Sequence, residues 1–301
     1  MKTLALIIFL CTIGFPLISF GEGVDIPDAT LRALIEATLG KEADTPITEE
    51  DLLTLTALHA SPGNISDLTG LEFATNLTEL NLRLNNTSDV SPLSGLTKLT
   101  VLVLDRNDIS DVTPLAELTE LIELNLENNP ISDLTPLAGL TKLQELGLDD
   151  NEISDLSPLA GLTELIKLDL DDNDVSDITP LAGLTKLEEL DLDGNDISDA
   201  SPLVGLTSLT YVNLEDNPLN QASIETHIRA IEVNGARVDF DPPALRADLN
   251  EDGVVNIQDL VLVAAQIGHP CPNEADLNGD AVINVQDLVL VAQAFGQTRE
   301  E

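Results

Sequence analysis

Two 12-residue segments near the end of the chain carry oxygen-bearing side chains at matching positions. The first runs from position 248 as Asp-Leu-Asn-Glu-Asp-Gly-Val-Val-Asn-Ile-Gln-Asp, and the second, 28 residues later, reads Asp-Leu-Asn-Gly-Asp-Ala-Val-Ile-Asn-Val-Gln-Asp. Oxygen ligands at positions 1, 3, 5, 9 and 12, with a backbone carbonyl from position 7, can surround a hard cation of calcium's size. Each segment is therefore a candidate metal-binding loop.

An apolar segment follows each loop and predicts a helix. The predicted helices cover residues 260–267 and 288–295, and Gly268 and Gly296 end them. Helices this short are not stable alone in water. We therefore expect the two helices to pack against each other.

Outside these loops, no arrangement of residues predicts catalysis. His59, His227 and His269 lack the spacing of metal ligands, and no nucleophile-elbow, dinucleotide-binding or zinc-protease motif occurs. Aspartate recurs every 22 residues, at positions 67, 89, 111, 133, 155, 177 and 199. A catalytic residue is not repeated seven times, whereas turn capping explains the series. The sequence therefore predicts a protein that is not an enzyme.

A 22-residue repeat accounts for these aspartates. Asparagine recurs at the same interval, at positions 85, 107, 129, 151, 173, 195 and 217. In the unit that covers residues 143–164, the first six residues fit a short strand with Leu146 and Leu148 pointing inward. Asn151 follows at a turn, where its amide can pair with backbone groups of neighbouring coils. Pro158 then favours a short helical turn.

The repeat needs caps, because the first and last coils of a stack would otherwise expose apolar edges. Helices are predicted over residues 29–39 and after a Thr48/Asp51 capping box, and a last short strand is predicted over residues 238–240. The predicted organisation is a signal peptide at 1–21, a helical N-terminal cap at 22–54, eight repeat units at 55–217, a C-terminal cap at 218–241, a linker at 242–247 and the two-loop module at 248–297.

The motif Ile-Ser-Asp-Leu-x-Pro-Leu-x-Gly-Leu-Thr resembles the internalin-type bacterial leucine-rich repeat. The helical segment before the repeats resembles the N-terminal cap of that family, and the resemblance covers about residues 25–240. It implies an α/β solenoid, a right-handed coil with a parallel sheet on its concave face. It also implies a role in protein recognition.

The duplicated loop and helix resembles a type I dockerin, the module that joins secreted proteins to cohesin domains of polysaccharide-degrading assemblies. This resemblance implies a small all-α module with Ca²⁺ as cofactor and a cohesin-like domain as partner. The calcium ligands that it implies are Asp248, Asn250, Asp252, the Val254 carbonyl, Asn256 and Asp259 in the first loop, and Asp276, Asn278, Asp280, the Val282 carbonyl, Asn284 and Asp287 in the second.

Two features depart from the dockerin pattern. Ala281 stands where the sharp turn of the loop needs glycine, and a left-handed backbone costs an alanine about 1–2 kcal/mol, so the second loop should bind calcium more weakly. Where dockerins usually present small hydroxyl residues to cohesin, this chain has Ile257-Gln258 and Val285-Gln286.

Strand alternation turns every second side chain away from the core. From the second coil onward, twelve of the 21 outward positions are acidic and two are basic. Acids in adjacent coils lie about 5 Å apart and repel each other unless a cation or a basic partner intervenes. Two interpretations stay open, a binding surface for a positively charged protein with Tyr211 as an anchor, and a solvated acidic face. The candidate binding residues are Glu123, Glu127, Glu145, Asp149, Lys167, Asp169, Asp171, Glu189, Asp191, Asp193 and Tyr211.

The charge and the first residues indicate an exported protein. The net charge of −41 repels nucleic acid and anionic lipid. Lys2 precedes an apolar run to Phe20 that is typical of a signal peptide, and its removal would leave no segment for membrane insertion; an uncleaved membrane anchor is the alternative. Cys271 would then be the remaining cysteine, so no internal disulfide would form.

Two functions fit these features. The first is a secreted, non-catalytic solenoid that binds a protein and is tethered or docked through a calcium-dependent tail. Such a protein is extracellular and can be associated with the cell surface. The second is an accessory scaffold component of an extracellular polysaccharide-degrading complex, bound through cohesin.

Overall fold

The computed structural model describes residues 23–60, 62–241, 249–250, 254–267, 275–277 and 282–293. The predicted signal peptide and linker therefore lie outside the described residues. The same holds for the sequence-predicted features at Asp248, Asp252, His269, Cys271, Asn278, Asp280 and Ala281.

Nine three-residue strands form one parallel sheet in the order of the sequence. The strands are β1 Ala57–His59, β2 Glu79–Asn81, β3 Val101–Val103, β4 Glu123–Asn125, β5 Glu145–Gly147, β6 Lys167–Asp169, β7 Glu189–Asp191, β8 Tyr211–Asn213 and β9 Arg237–Asp239. From β1 to β8, each residue pairs with its equivalent in the next unit, as Leu146 does with Leu168. This arrangement confirms the predicted leucine-rich-repeat solenoid.

The core of the solenoid is a stack of aliphatic side chains. In each strand the central residue points inward, so that Leu146 is 1 % exposed while Glu145 is exposed and Gly147 is half-buried. Burying a leucine side chain contributes about 1.5–3 kcal/mol relative to leaving it in water. The alternation predicted from the sequence is confirmed, and it fixes which side chains face outward.

The asparagine series forms a buried hydrogen-bonded ladder between coils. The Nδ2 of Asn129 donates to the carbonyls of Leu104, Leu126 and Glu127 at 3.0–3.1 Å. Its Oδ1 accepts the backbone N–H of Ile109 at 3.0 Å. One side chain thus satisfies backbone groups of its own coil and of the coil before it, as predicted.

In each coil, an aspartate caps the turn that leads into a short 3₁₀ helix. Asp155 Oδ1 accepts the N–H of Ser157 at 2.8 Å, and Pro158 lies in the first turn of the helix that begins there. The other six aspartates of the series make the same bond, which confirms turn capping. The 3₁₀ helices are Leu71–Phe73, Ser91–Leu93, Thr113–Leu115, Thr135–Gly139, Ser157–Gly161, Thr179–Gly183 and Ser201–Gly205.

Helices cover the first coil. Helix α1, Ala29–Leu39, ends at Gly40, whose φ of 66° is left-handed. Helix α2, Glu49–Leu52, begins with the predicted reciprocal capping of Thr48 and Asp51. Both helices bury aliphatic residues in the core of the solenoid.

At the other end, a π-helical turn, Ser223–His227, leads into α3, Ile228–Val233, whose buried isoleucines pack on the last coil. The predicted strand over residues 238–240 is wrong by one residue, since β9 covers Arg237–Asp239. The pairing of β9 with β8 sets this register. The N–H of Arg237 donates to the Thr210 carbonyl at 2.8 Å, and Val238 aligns with Val212.

The tail contains two helices, α4 (Ile257–Gln266) and α5 (Val285–Gln293), that pack together as predicted. Val263 and Val291 meet in a small core of their own. The predicted starts at residues 260 and 288 are wrong, because both helices begin three residues earlier. Asn256 explains this for α4, since it caps the helix reciprocally with Asp259. In the described part of the chain, no helix has the length and apolar character needed to cross a bilayer.

Candidate functional site

Three columns of side chains form the concave face. Column one contains the first residue of each strand, column two the third residue, and column three the residue two positions after the strand. All eleven predicted binding residues lie in these columns, because they alternate with the buried leucines. Column one includes Glu123, Glu145, Lys167, Glu189 and Tyr211; column two includes Asn125, Gly147, Asp169, Asp191 and Asn213; column three includes Asp105, Glu127, Asp149, Asp171, Asp193 and Glu215.

Column three holds an acid in each of six consecutive coils, and the pKa of each one is raised. For Asp171, burial and then the charges of Asp149, Asp172 and Asp193 raise the pKa to about 7. For Asp149, burial and then Asp169 and Glu127 raise the pKa to about 6. Burial is also the largest cause for the other four, Asp105, Glu127, Asp193 and Glu215. Ionisation of this column is therefore less favourable in the folded protein than in the unfolded chain.

Asp105 is the most deeply buried acid of column three, with its side chain 1 % exposed. Its Oδ2 lies 3.2 Å from the Nε of Arg83, the one basic residue of the column from the second coil onward. Burial still raises the pKa of Asp105 although Arg83 lowers it. Desolvation thus outweighs the ion pair at this end of the column.

Tyr211 does not stand alone at the other end of the face. The guanidinium carbon of Arg237 lies 5.6 Å from the centre of its ring, and Arg237 also forms an ion pair with Asp239 at 2.6 Å. Sequence reasoning missed Arg237, because the register of β9 was assigned one residue late. The signal that would have found it is the alignment of Val238 with Val212.

A small depression opens on the concave face at Gly147, the one glycine among the column-two positions of β1–β9. It has a volume of about 90 Å³. The residues that line it, besides Gly147, are Glu123, Leu124, Asn125, Glu127, Glu145, Leu146, Lys167 and Asp169. The charge count of the sequence did not reveal the depression, because it forms where residues of three neighbouring coils meet around Gly147.

In the tail, the last carboxylate of each loop folds back onto its own loop. Asp259 is fully buried, and its two oxygens accept the N–H groups of Asn256 at 2.8 Å and Asn250 at 3.2 Å. Asp287 is equally buried and accepts the N–H groups of Asn284 at 2.8 Å and Leu277 at 2.9 Å. In each loop the last carboxylate thus binds position 9 and the start of the loop, at position 3 in the first loop and at position 2 in the second.

The described loop residues present oxygen atoms. The carbonyls of Val254 and Val282 accept the side-chain amides of Asn256 and Asn284 at 2.9 and 2.8 Å, so the amide nitrogen of position 9 lies beside the carbonyl oxygen of position 7. An all-oxygen donor set suits a hard cation such as calcium. Eight of the twelve predicted ligand residues are described, and within the described residues no three acidic, histidine or cysteine side chains form a metal-binding group.

Two family models match the chain. Leucine-rich repeats, in copies of two, match residues 75–117, 97–142, 119–161, 141–183, 163–203 and 185–226. A dockerin type I domain matches residues 246–296. No curated protein matches.

Solved structures with the same fold include bacterial leucine-rich-repeat proteins. The internalin inlF of Listeria monocytogenes is 38 % identical over 74 % of this chain and 67 % of its own, with a TM-score of 0.68. The internalin C2 of the same species is 37 % identical over 71 % of this chain and 94 % of its own, with a TM-score of 0.66. A leucine-rich-repeat protein of Leptospira interrogans is 27 % identical over 64 % of this chain and 51 % of its own, with a TM-score of 0.60.

Proposed function

Since the chain belongs to the internalin-type leucine-rich-repeat proteins and ends in a type I dockerin domain, we propose that it is a secreted, non-catalytic protein that binds a protein partner on its concave face. The dockerin domain then holds the chain in place by calcium-dependent docking. The observation that carries the proposal is the regular concave face, where each coil places one residue in every column.

The chemistry of that face favours a basic partner. Six consecutive acids in column three repel each other, and positive side chains of a partner would relieve this repulsion. A glycan is a poorer fit, because sugar sites use aromatic platforms and Tyr211 is the one aromatic residue in the three columns from β1 to β9. Nucleic acid would be repelled by the charge of −41.

Calcium is the cofactor that we propose for the tail. The twelve residues Asp248, Asn250, Asp252, Val254, Asn256, Asp259, Asp276, Asn278, Asp280, Val282, Asn284 and Asp287 would hold two ions. Support comes from the buried, inward-folded carboxylates of Asp259 and Asp287 and from the dockerin match. A cohesin-like domain is the partner that a dockerin implies.

The second candidate is an accessory scaffold component of an extracellular polysaccharide-degrading complex, and the dockerin match is the observation that favours it. In that case the tail would carry the affinity for the complex and the solenoid would contact a neighbouring subunit. The two candidates differ in which surface captures the main partner.

A pull-down with the full chain against secreted proteins tests both candidates. The solenoid variant Glu145→Arg/Glu189→Arg reverses two exposed charges of column one, and Glu117→Arg/Glu152→Arg is its control, with exposed acids outside the three columns. We expect the first variant to lose the partner and the control to keep it. Capture that both solenoid variants retain, and that a chelator abolishes, would favour the scaffold component. Capture that neither treatment affects would contradict both.

A further inference from the structure

Gly147 leaves a gap in column two that its backbone does not require. The described glycines with a left-handed φ are Gly40, Gly70, Gly194 and Gly235, so Gly147 has an ordinary strand conformation. A Cβ atom at this position would lie 2.7 Å from Glu127 Oε1 and 3.3 Å from Asn125 Cγ. The Glu127 side chain therefore lies over the bare backbone of Gly147, at the edge of the depression, which we call the Gly147 pocket.

One acid of the Gly147 pocket, Glu127, is held in place by its neighbour Asn125. Asn125 Nδ2 donates to Glu127 Oε1 at 2.9 Å, and Asn125 Oδ1 accepts the N–H of Glu127 at 3.0 Å. The Glu127 carboxylate is thereby fixed at the edge of the pocket. Asp169 lies across from Gly147 on the next strand.

The charge of the pocket is unbalanced. Four acids, Glu123, Glu127, Glu145 and Asp169, line it together with one cation, Lys167. The Nζ of Lys167 lies 3.8 Å from Glu189 Oε2, an acid that does not line the pocket. Burial and neighbouring carboxylates raise the pKa values of Glu123 and Glu127, as expected where a positive charge is missing.

We propose that the Gly147 pocket receives one lysine or arginine side chain of the protein partner. The inference rests on the proposed function, because it places a basic partner on the concave face. The volume of about 90 Å³ leaves room for a single cationic head group. The four acids supply the complementary charge, and the strand backbone fixes their positions.

A titration of the isotope-labelled full chain with N-acetyl-arginine methylamide tests the pocket by NMR. The neutral isostere N-acetyl-citrulline methylamide is the control ligand. We expect saturable shifts of the amides around Gly147, Glu127 and Asp169 with the arginine compound, and at least tenfold weaker binding of the citrulline compound. Equal binding of both compounds, or shifts spread evenly along column three, would overturn the proposal.

Two variants separate the shape of the pocket from its charge. Gly147→Asn places there the residue that coil positions 125 and 213 carry and leaves the net charge unchanged. Glu215→Gln removes an acid of column three that does not line the pocket. We expect Gly147→Asn to weaken binding at least tenfold and Glu215→Gln less than twofold. Equal losses of affinity in the two variants would show that the compound responds to the overall negative charge of the concave face. That result would overturn the pocket proposal.

Glu127→Gln serves as a second pocket variant if Gly147→Asn does not fold, and retained affinity in it would equally overturn the proposal. The proposed function is tested separately by capture of a protein partner. A partner that binds wild type and Gly147→Asn with the same affinity would remove the pocket proposal and leave the concave-face proposal intact.

Discussion

Asp171 shows most clearly how the concave face responds to pH. Its pKa in the folded protein is raised to about 7, from an ordinary value of 3.8. Below pH 4 the group is protonated in both the folded and the unfolded chain, so it does not oppose folding. Between pH 4 and pH 7 Asp171 is ionised in the unfolded chain but still protonated in the folded protein, so the free energy of unfolding falls as the pH rises. Above pH 7 Asp171 is ionised in both states, and this loss of stability is complete.

We therefore expect Asp171→Asn to stabilise the solenoid at pH 8 and to have little effect at pH 4. After allowance for solvent screening, the gain should be on the order of 1 kcal/mol, or about 2–4 °C in Tm. Thermal melts at both pH values measure it. Asp174→Asn, an exposed aspartate of the same coil outside the three columns, is the control. A gain that is equal at pH 4 and pH 8 would contradict the electrostatic cause.

Asn129 illustrates the ladder at the same scale. Asn129→Ala would leave three carbonyls and one N–H without the partner that they now have. Because each buried unsatisfied group costs about 1–3 kcal/mol, we expect a loss of at least about 2 kcal/mol in the free energy of unfolding by urea. Glu145→Ala, on the exposed face, should change it by less than about 0.5 kcal/mol. Similar midpoints for both variants would refute the role of the ladder.

The sequence was informative about residues wherever a position recurs. Asparagine and aspartate at 22-residue intervals predicted the ladder and the turn caps, because one physical explanation had to hold in every coil. Gly147 and Arg237 were missed because neither belongs to a recurring type. The surroundings of Gly147 and the stacking of Arg237 on Tyr211 both depend on residues of neighbouring coils. The sequence of one repeat unit does not reveal them.

The short helices of the tail depend on their loops. Helix α4 starts at Ile257 because Asn256 and Asp259 cap each other, so the last ligand position of the loop is also the first turn of the helix. The sequence placed the start too late, since the apolar pattern was given more weight than the capping residues. A cation in the loop would therefore stabilise the helix as well.

We expect calcium to raise the melting temperature of the tail within the full chain. A hundredfold excess over Kd stabilises a folded site by about 2.7 kcal/mol. Asp248→Ala should remove most of this gain, whereas Glu251→Ala, at a position of the same loop that supplies no ligand, should keep it. Calorimetry of the three chains with calcium and with a chelator is the measurement. Absence of any calcium effect on the wild type would end the metal proposal.

The whole molecule carries far more negative than positive charge, with a net charge of −41. At 0.01 M salt the screening length is about 30 Å, and at 0.15 M it is about 8 Å, so repulsion between coils reaches much farther in dilute salt. We expect the melting temperature of the solenoid to rise by several degrees between these conditions. The rise should be the same with sodium and with choline chloride, and a melting temperature independent of salt would show that the acids are already neutralised.

Each strand of the sheet pairs with the strands immediately before and after it in sequence, and from β1 to β8 the register has no offset. Each additional 22-residue unit therefore lengthens the solenoid by one coil. If residues 165–186 were excised, Leu146 would meet Leu190 in the contact that it now makes with Leu168, and the face would shorten by one step of about 4.8 Å. Gain or loss of whole 22-residue units would therefore change the reach of this protein while its fold is preserved.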